Sequence, residues 1–132
     1  MINNVVLVGR TANEPVIHVL ENGVKVCSVD LAIVRPFRNA NNENETDFIP
    51  INFWQAVAEN VDEYCGKGSI IGVQCRLSSR MVEKQGVKYK AIDINADRVI
   101  FIKLVARNKE IVPIPQYKSH TVSFPVKSAY FN

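Results

Sequence analysis

The sequence predicts a mainly β protein, a small five-stranded barrel with one helix. Three observations lead to this prediction. Short segments rich in valine and isoleucine recur along residues 1–103, glycine-containing turn signals separate some of them, and one stretch changes to a helical apolar period. One domain of this kind suits a chain of 132 residues, whose composition of 47% hydrophobic and 22% charged residues is ordinary for a globular protein.

The first strand segments come from the N-terminal part of the chain. Residues 4–10 read NVVLVGR, a run typical of a strand, and Gly9 within it indicates a bend or a close backbone approach. Strand character resumes over residues 16–20. Asn22 and Gly23 then predict a tight hairpin, because an Asn-Gly pair readily takes the positive φ values that a primed turn requires.

Two longer strands follow, with a polar segment between them. Residues 24–34 alternate as a long strand, and residues 39–45, NANNENE, show no periodicity and predict a mobile loop. Residues 47–54, DFIPINFW, form the next strand. Pro50 within it indicates an edge position or a bulge, because proline cannot donate to a strand ladder.

One helix is predicted over residues 55–65, where the apolar residues fall at helical spacing and the acidic ones lie mostly outside that face. The glycines of the following GKG sequence are expected to stop it. Strands over residues 69–81 and 89–103 complete the set, and Gly86 marks the hairpin between them.

The order of elements is therefore strand, strand, strand, helix, strand, strand. A single helix between the third and fourth of five strands is the pattern of the OB-fold, a Greek-key barrel whose face and loops bind oligonucleotides or oligosaccharides. This domain is predicted to cover residues 1–103. Residues 104–132, which contain VPIPQY and a polar remainder, are predicted to form an extended or disordered tail.

Several classes of protein are disfavoured by the sequence. Cys27, Cys65 and Cys75 are an odd number without a CxxC pair, which argues against a disulfide framework or a zinc site and favours buried thiols. His18 and His120 have no metal-ligand spacing, and GKGS lacks the first glycine of a phosphate loop. We therefore predict neither an enzyme nor a bound metal or cofactor.

Charge and hydropathy limit the location and the kinds of partner that the sequence predicts. No apolar run approaches the length of a membrane span, and the N-terminus has no signal-peptide pattern, so we expect a cytoplasmic, nucleoid-associated protein. Residues 1–103 hold 12 basic and 12 acidic residues, whereas residues 104–132 hold four basic residues and one acid. A neutral body can still bind nucleic acid if its cations share one face.

Residues 24–54 carry the strongest functional signal. Phe37, Phe48 and Trp54 are interleaved there with Arg35 and Arg38 on extended segments. Single-strand grooves combine such residues, since bases stack on aromatic faces, at roughly 1–3 kcal/mol each, and cations follow the phosphates. For any single aromatic residue, a place in the core is the simpler interpretation.

Beyond these patterns, the chain resembles the bacterial single-stranded DNA-binding proteins of the SSB family. The resemblance rests on segments spread in order over residues 1–103: MINNVVLVGR, ENGVKV, LAIVRPF, TDFIPINFW, AENVDEYCGKGS and CRLSSR. It implies an OB-fold that assembles as a homotetramer and wraps single-stranded DNA without sequence preference or catalysis. It also implies roles in DNA replication, recombination or repair.

The resemblance assigns stacking roles to particular aromatic residues. Phe37 ends the long strand, Phe48 follows the acidic residue that opens the next strand, and Trp54 closes that strand. Members of the family usually carry a fourth aromatic in the hairpin after CRLSSR, where this chain has Val82. Tyr89, on the returning strand of that hairpin, is a substitute if the register slips.

Cations on strand or hairpin positions are candidate phosphate contacts, although each alone is more simply a solvated surface charge. On single strands, each phosphate neutralised steepens the fall of log affinity with log salt concentration, which we call the salt slope, by about 0.7. The candidates are Arg10, Arg35, Arg38, Arg76, Arg80, Lys84, Lys88 and Lys90.

The C-terminus departs from the family pattern. Typical members end in an acidic tip that recruits replication and repair proteins, whereas this chain ends KSAYFN after a basic segment. We therefore do not transfer the recruiting role, and the tail either adds to DNA binding or is passive. The alternative for the whole protein is an OB-fold interaction module of the primosome or RNA-binding type.

Overall fold

A computed structural model of the protein describes residues 1–107 and consists of six strands and one helix. The elements are β1 Val5–Thr11, β2 Ile17–Val19, β3 Lys25–Arg38, β4 Asn44–Trp54, α1 Gln55–Tyr64, β5 Ile70–Lys84 and β6 Val87–Lys103. The strands are bonded in the order β1-β5-β6-β4-β3-β2, and a further pairing of β1 with β3 closes the sheet. The predicted mainly β fold with a single helix is confirmed.

The closed barrel has five strands because β1 and β2 share one side of β3. Arg10 and Thr11 of β1 pair with Ala32 and Leu31, and β2 pairs farther back, with residues 25–27. These two short strands correspond to the segments predicted at 4–10 and 16–20. Counted separately, they place the helix after the fourth strand of the chain, whereas the barrel keeps the five-stranded order.

The core is formed by the inward side chains of the barrel and one face of α1. Valine, isoleucine and phenylalanine alternate inward along the strands, and Ala58 and Val61 of the helix pack on them. The core residues are Cys27, Val29, Leu31, Ile51, Phe53, Ala58, Val61, Cys65, Ile71, Val73, Cys75 and Ala96. The predicted buried thiols are confirmed, because all three cysteines lie in this set.

Two hairpins extend past the barrel, and we call them the first and second arms. The first arm is residues 34–46 of β3 and β4, and the second is residues 77–94 of β5 and β6. The ladder of the first arm continues to Arg38 and Asn44, so the loop predicted over 39–45 is shorter, at 39–43. The Asn39 side chain accepts hydrogen bonds from the amides of Asn41 and Glu43 across this turn.

The turn of the second arm and the turn between β2 and β3 differ in conformation. Gln85 and Gly86 have φ of 53° and 78°, which is the pair of positive values that a two-residue primed turn needs. In the earlier hairpin only Gly23 is positive, at φ 85°, so the primed turn expected from Asn22-Gly23 is wrong there. Gly9 is required for close approach, because a Cβ would lie 2.6 Å from the Ala32 carbonyl oxygen.

The helix ends at Tyr64, and Cys65 follows in an extended conformation. Gly66 therefore does not act as a left-handed cap, which corrects the expected role of that glycine. A Cβ on Gly66 would lie 2.6 Å from the Val105 carbonyl oxygen. The absence of a side chain therefore allows the backbone that follows β6 to pack closely against Gly66. Arg107 continues this contact by donating to the Asp62 side chain and the Pro15 carbonyl.

The predicted tail of 104–132 begins with residues that contact the domain. Val105 donates its amide to the Ser69 hydroxyl at 2.9 Å and accepts from the Gly66 amide at 2.9 Å. The rest of the tail, residues 108–132, lies outside the described residues. Over residues 1–107, no helix is long and apolar enough to cross a membrane.

Candidate nucleic-acid interface

The outward side of β4 positions two of the expected aromatic residues. Alternation along the strand turns Phe48, Pro50, Asn52 and Trp54 to the same face, away from the core residues Ile51 and Phe53. Phe48 is 62% exposed. Phe48 and Trp54 are six residues apart, or about 20 Å at the rise of a strand. Two separate stacking positions therefore lie along one outward surface.

A bridge between two strands extends this surface onto the second arm. Asn52 of β4 pairs with Asn95 of β6, so the outward face of β4 continues onto β6. Along the ladder of β5 and β6, the same face includes Ser78, Val82 and Tyr89. We call this outward surface of β3, β4 and the second arm the aromatic face.

Trp54 is fixed by a chain of side-chain hydrogen bonds. Its indole Nε1–H donates to Asn95 Oδ1 at 2.9 Å, and Asn95 Nδ2 donates to the Ser78 hydroxyl at 2.7 Å. The backbone beside it is also constrained, because Trp54 is the extended N-cap of α1 and Gln55 has φ 52°. The Trp54 ring is half-buried at this junction of β4 and helix.

Tyr89 lies directly opposite Val82 in the antiparallel ladder of the second arm. Opposed residues project to the same face, so Tyr89 is next to the position where an aromatic was expected and no slip of register is needed. The two side chains are both half-buried. Tyr89 therefore occupies the place for a fourth stacking platform, although its role stays a prediction.

Phe37 is the most separate of the four aromatic residues. It is 67% exposed on the first arm, beyond an irregularity in the ladder between Val34 and Arg38. Regular alternation does not extend through this irregularity, so no register fixes the face of Phe37, which lies on the first arm, whereas Phe48 pairs with Ala32 in the barrel.

Arg35 does not lie free beside the aromatic residues. Its Nε and Nη2 donate to Asp47 at 2.9–3.2 Å, and its Nη1 donates to Glu45 at 2.6 Å. The hydrogen bonds and charge of Arg35 hold the pKa of Asp47 below its usual range. Asp47 alternates with Phe48, so the Arg35 cluster is on the other side of β4.

Two more of the candidate arginines, both on β5, are paired with carboxylates of β6. Arg80 contacts the buried Asp93 through Nε at 2.6 Å, and Arg76 contacts Asp97 at 3.4 Å. Both arginines lie on the aromatic face. The structure thus brings these two cations together with Trp54, but each shares its charge with an acid.

The other candidate cations lie in three places. Arg10 donates to the Gly68 carbonyl at 2.8 Å and pairs with Ala32, which itself pairs with Phe48, so it is two strands from that ring. Register turns Lys88 and Lys90 to the face opposite Tyr89, and Lys84 is at the tip of the second arm. Arg38 is exposed at the end of β3. All remain predicted phosphate contacts.

Sequence reasoning missed the polar residues that support Trp54. Asn95 is buried, at 8% exposure, although it occupies an outward position of β6, and Ser78 beside it is half-buried. Alternation of polar residues along CRLSSR and IDIN is visible in the sequence. It did not show that side chains of β6 and β5 form a chain of hydrogen bonds to the edge of the Trp54 ring.

A second outward surface of the barrel is apolar. Val6 and Val8 of β1 and Ile100 and Ile102 of β6 form a groove around Gly72, and all four side chains are more than half exposed. We call it the apolar face. The signal in the sequence was the unbroken apolar runs VVLV and VIFI, because strands covered on both sides lack alternation.

The three cysteines of the described residues are buried thiols. Burial raises the pKa of Cys27 to about 12 and that of Cys65 to about 11, so neither thiol ionises near neutral pH. Among residues 1–107, no group of three or more histidine, cysteine, aspartate or glutamate side chains is arranged to hold a metal ion.

The fold and the aromatic face define an OB-type barrel with a surface suited to unpaired bases. Comparison with known proteins agrees. The model of the single-strand binding protein family matches residues 2–102. The chain belongs to this family.

Individual relatives extend the match. The chain is 40% identical over 104 residues to single-stranded DNA-binding protein 1 of Staphylococcus aureus strain MSSA476, covering 78% of this chain and 67% of the relative. It is 38% identical over 110 residues to single-stranded DNA-binding protein B of Bacillus subtilis strain 168, covering 83% and 97%. A Plasmodium falciparum SSB complex with ssDNA superposes with a TM-score of 0.65 at 28% identity, covering 78% and 96%.

Proposed function

We propose that this protein binds and protects single-stranded DNA without sequence preference, in DNA replication, recombination or repair. The observation that carries the proposal is the common outward face of Phe48, Trp54 and Tyr89, which the Asn52–Asn95 bridge makes continuous across β4, β6 and β5. Names of the relatives in this family support it, since they are single-stranded DNA-binding proteins.

Stacking supplies the sequence-independent part of this affinity. Every base has a π-face, and each base stacked on an aromatic residue contributes about 1–3 kcal/mol. The aromatic residues proposed for this role are Phe37, Phe48, Trp54 and Tyr89. No base edge has to be read, and no step of the proposed activity is a chemical reaction.

Phosphate contacts supply the salt-dependent part. The proposed contacts are Arg10, Arg35, Arg38, Arg76, Arg80, Lys84, Lys88 and Lys90. The pairing of Arg35, Arg76 and Arg80 with carboxylates lowers the net gain from each, because a phosphate has to replace an acid already in place. We therefore expect a salt slope smaller than eight full contacts would give, at about 0.7 per phosphate neutralised.

A salt-series titration with oligo-dT of several lengths tests this function. We expect tight binding that weakens with salt, quenches the fluorescence of Trp54 and holds equally for mixed sequences. Failure to bind oligo-dT at low salt would refute it. Tighter binding to structured RNA than to oligo-dT would instead favour the interaction-module alternative.

We further propose that the chain assembles as a homotetramer. The apolar face is larger than single scattered hydrophobic residues explain, and such patches mark contacts between proteins. The free edge of β1 offers a second contact, since within the described chain residues 5–9 pair with β5 on one side only. Two different self-complementary contacts generate a tetramer of dihedral symmetry.

Mass in solution tests the assembly, by light scattering on the full chain. We expect the mass of four chains, whereas a monomer at micromolar concentration would refute the proposal. The proposed place of action is the cytoplasm, at nucleoid DNA.

A further inference from the structure

We propose that Asn95, supported by Ser78, is a positioning residue that holds the Trp54 ring ready for base stacking. This inference rests on the proposed function, because it assigns a role within the same DNA-binding face. Asn95 itself is not proposed to contact a phosphate or a base. Three observations lead to it.

The geometry of the first hydrogen bond leaves the stacking surface open. An indole N–H lies in the plane of its ring, so the 2.9 Å bond from Trp54 Nε1 to Asn95 Oδ1 holds the ring by its edge. Both faces of the indole are left unused by this contact. A bond made at the edge restricts rotation of the ring while a base can still approach its π-face.

Asn95 is itself held in one orientation. Its amide oxygen faces an obligate donor, Trp54 Nε1–H, so its amide nitrogen is the end that donates to the Ser78 hydroxyl at 2.7 Å. A flipped amide would place N–H groups against the indole N–H. Asn95 is only 8% exposed, and a buried amide with both ends bonded is rigid.

The chain of bonds ties three strands together at the root of the second arm. Trp54 is on β4, Asn95 on β6 and Ser78 on β5, and Asn95 is also the residue that pairs with Asn52 where β4 meets β6. The position of the ring is therefore set relative to Tyr89 and Arg80 on the second arm. Ordering a free side chain on binding costs enough to weaken affinity about two- to tenfold, and this network removes that cost beforehand.

A double-mutant cycle with Trp54→Phe tests the inference. Phenylalanine keeps a stacking ring but has no N–H for Asn95 to hold. We expect Asn95→Ala to weaken oligo-dT binding about three- to tenfold in the natural chain and less than twofold in the Trp54→Phe background. Equal losses in the two backgrounds would overturn the inference, as would unchanged affinity in the single variant.

Two further readouts separate positioning from a general structural role. The salt slope should stay unchanged in Asn95→Ala, because no phosphate contact is lost. The near-ultraviolet circular dichroism of Trp54, the single tryptophan of the chain, should weaken as the ring gains freedom. A changed slope with an intact tryptophan signal would contradict the proposal.

Ser78 and Ser79 provide a matched pair if Asn95→Ala fails to fold. Ser78 faces Asn95, whereas Ser79 is the next residue and faces the other side of the arm. We expect Ser78→Ala to weaken oligo-dT binding about two- to fourfold and Ser79→Ala to leave it unchanged. Equal effects would overturn the inference. The natural chain binding no oligo-dT would refute the proposed function instead, so the two failures are distinguishable.

Discussion

The aromatic face and the apolar face are both outward surfaces of one barrel, yet they differ in chemistry. The aromatic face places rings beside paired arginines and a hydrogen-bonded amide, whereas the apolar face has bare valine and isoleucine around a glycine. Polar support preserves ring orientation in contact with water. Exposed aliphatic side chains stabilise the protein only when another surface covers them and removes them from water. One face is therefore suited to a ligand, and the other to the contact between chains that we propose.

The largest expected effect comes from placing a charge on the apolar face. Val8→Glu should abolish the tetramer, because an ion cannot be buried between two aliphatic surfaces without a partner. Light scattering on the full chain would show the mass fall below four chains. Val19→Glu is the matched control, since Val8 and Val19 are 54% and 53% exposed and only Val8 lies on this face. An unchanged mass for Val8→Glu would remove the distinction between the two faces.

Removal of the fixed ring should produce the next largest effect. Trp54→Ala should weaken oligo-dT binding by about 1–3 kcal/mol, which is roughly five- to 150-fold. The mass in solution should be unchanged, because Trp54 is not on the apolar face. Fluorescence anisotropy of a labelled oligonucleotide would measure the affinity, because the variant has no tryptophan to report binding. A fall in mass together with affinity would show that the two faces are not separate.

Tyr89 tests whether the aromatic face extends along the second arm. Tyr89→Ala should weaken oligo-dT binding about five- to tenfold, toward the lower end for one stacked base. Tyr89→Phe keeps the ring and should bind within twofold of the natural chain. A loss in Tyr89→Phe equal to that in Tyr89→Ala would assign the effect to the hydroxyl group and not to stacking.

The smallest expected effect is a gain. Glu45→Gln removes one of the two acids that hold Arg35, so a phosphate has less to displace, and oligo-dT affinity should rise about twofold at low salt. The gain should fade as salt screens these exposed charges. Glu43→Gln removes the same charge from the same arm, without an ion pair to Arg35 among residues 1–107. An equal gain in both variants would indicate a general charge effect.

Much of the fold could be predicted because local signals agreed with the final topology. The alternating strand that contains Cys75, the helix over 55–64 and the glycine turn at Gly86 each follow from residue type and period. The resemblance placed Phe37, Phe48 and Trp54 on the strands where they lie. Their contacts with DNA stay predictions.

The parts that could not be predicted depend on contacts between distant strands. The opposition of Val82 and Tyr89 depends on the register of the second arm, which the turn at Gln85 sets. The pairing of Arg35 with Asp47 needs residues 12 positions apart to meet across a hairpin. Gly66 was expected to cap the helix, but its lack of a side chain instead allows the backbone at Val105 to pack closely against it. Residue type alone does not distinguish these outcomes.

The single pairing of Asn52 with Asn95 has a consequence for how the barrel opens. The ladders of β3 with β4 and of β5 with β6 are long, whereas β4 and β6 share one parallel pair in the described chain. Such a seam is a natural place for local opening, so backbone amides beside it should exchange hydrogen faster than those of the long ladders. A DNA strand bound from Trp54 to Tyr89 would cross this seam. Bound DNA would then hold β4 and β6 together and slow that hydrogen exchange.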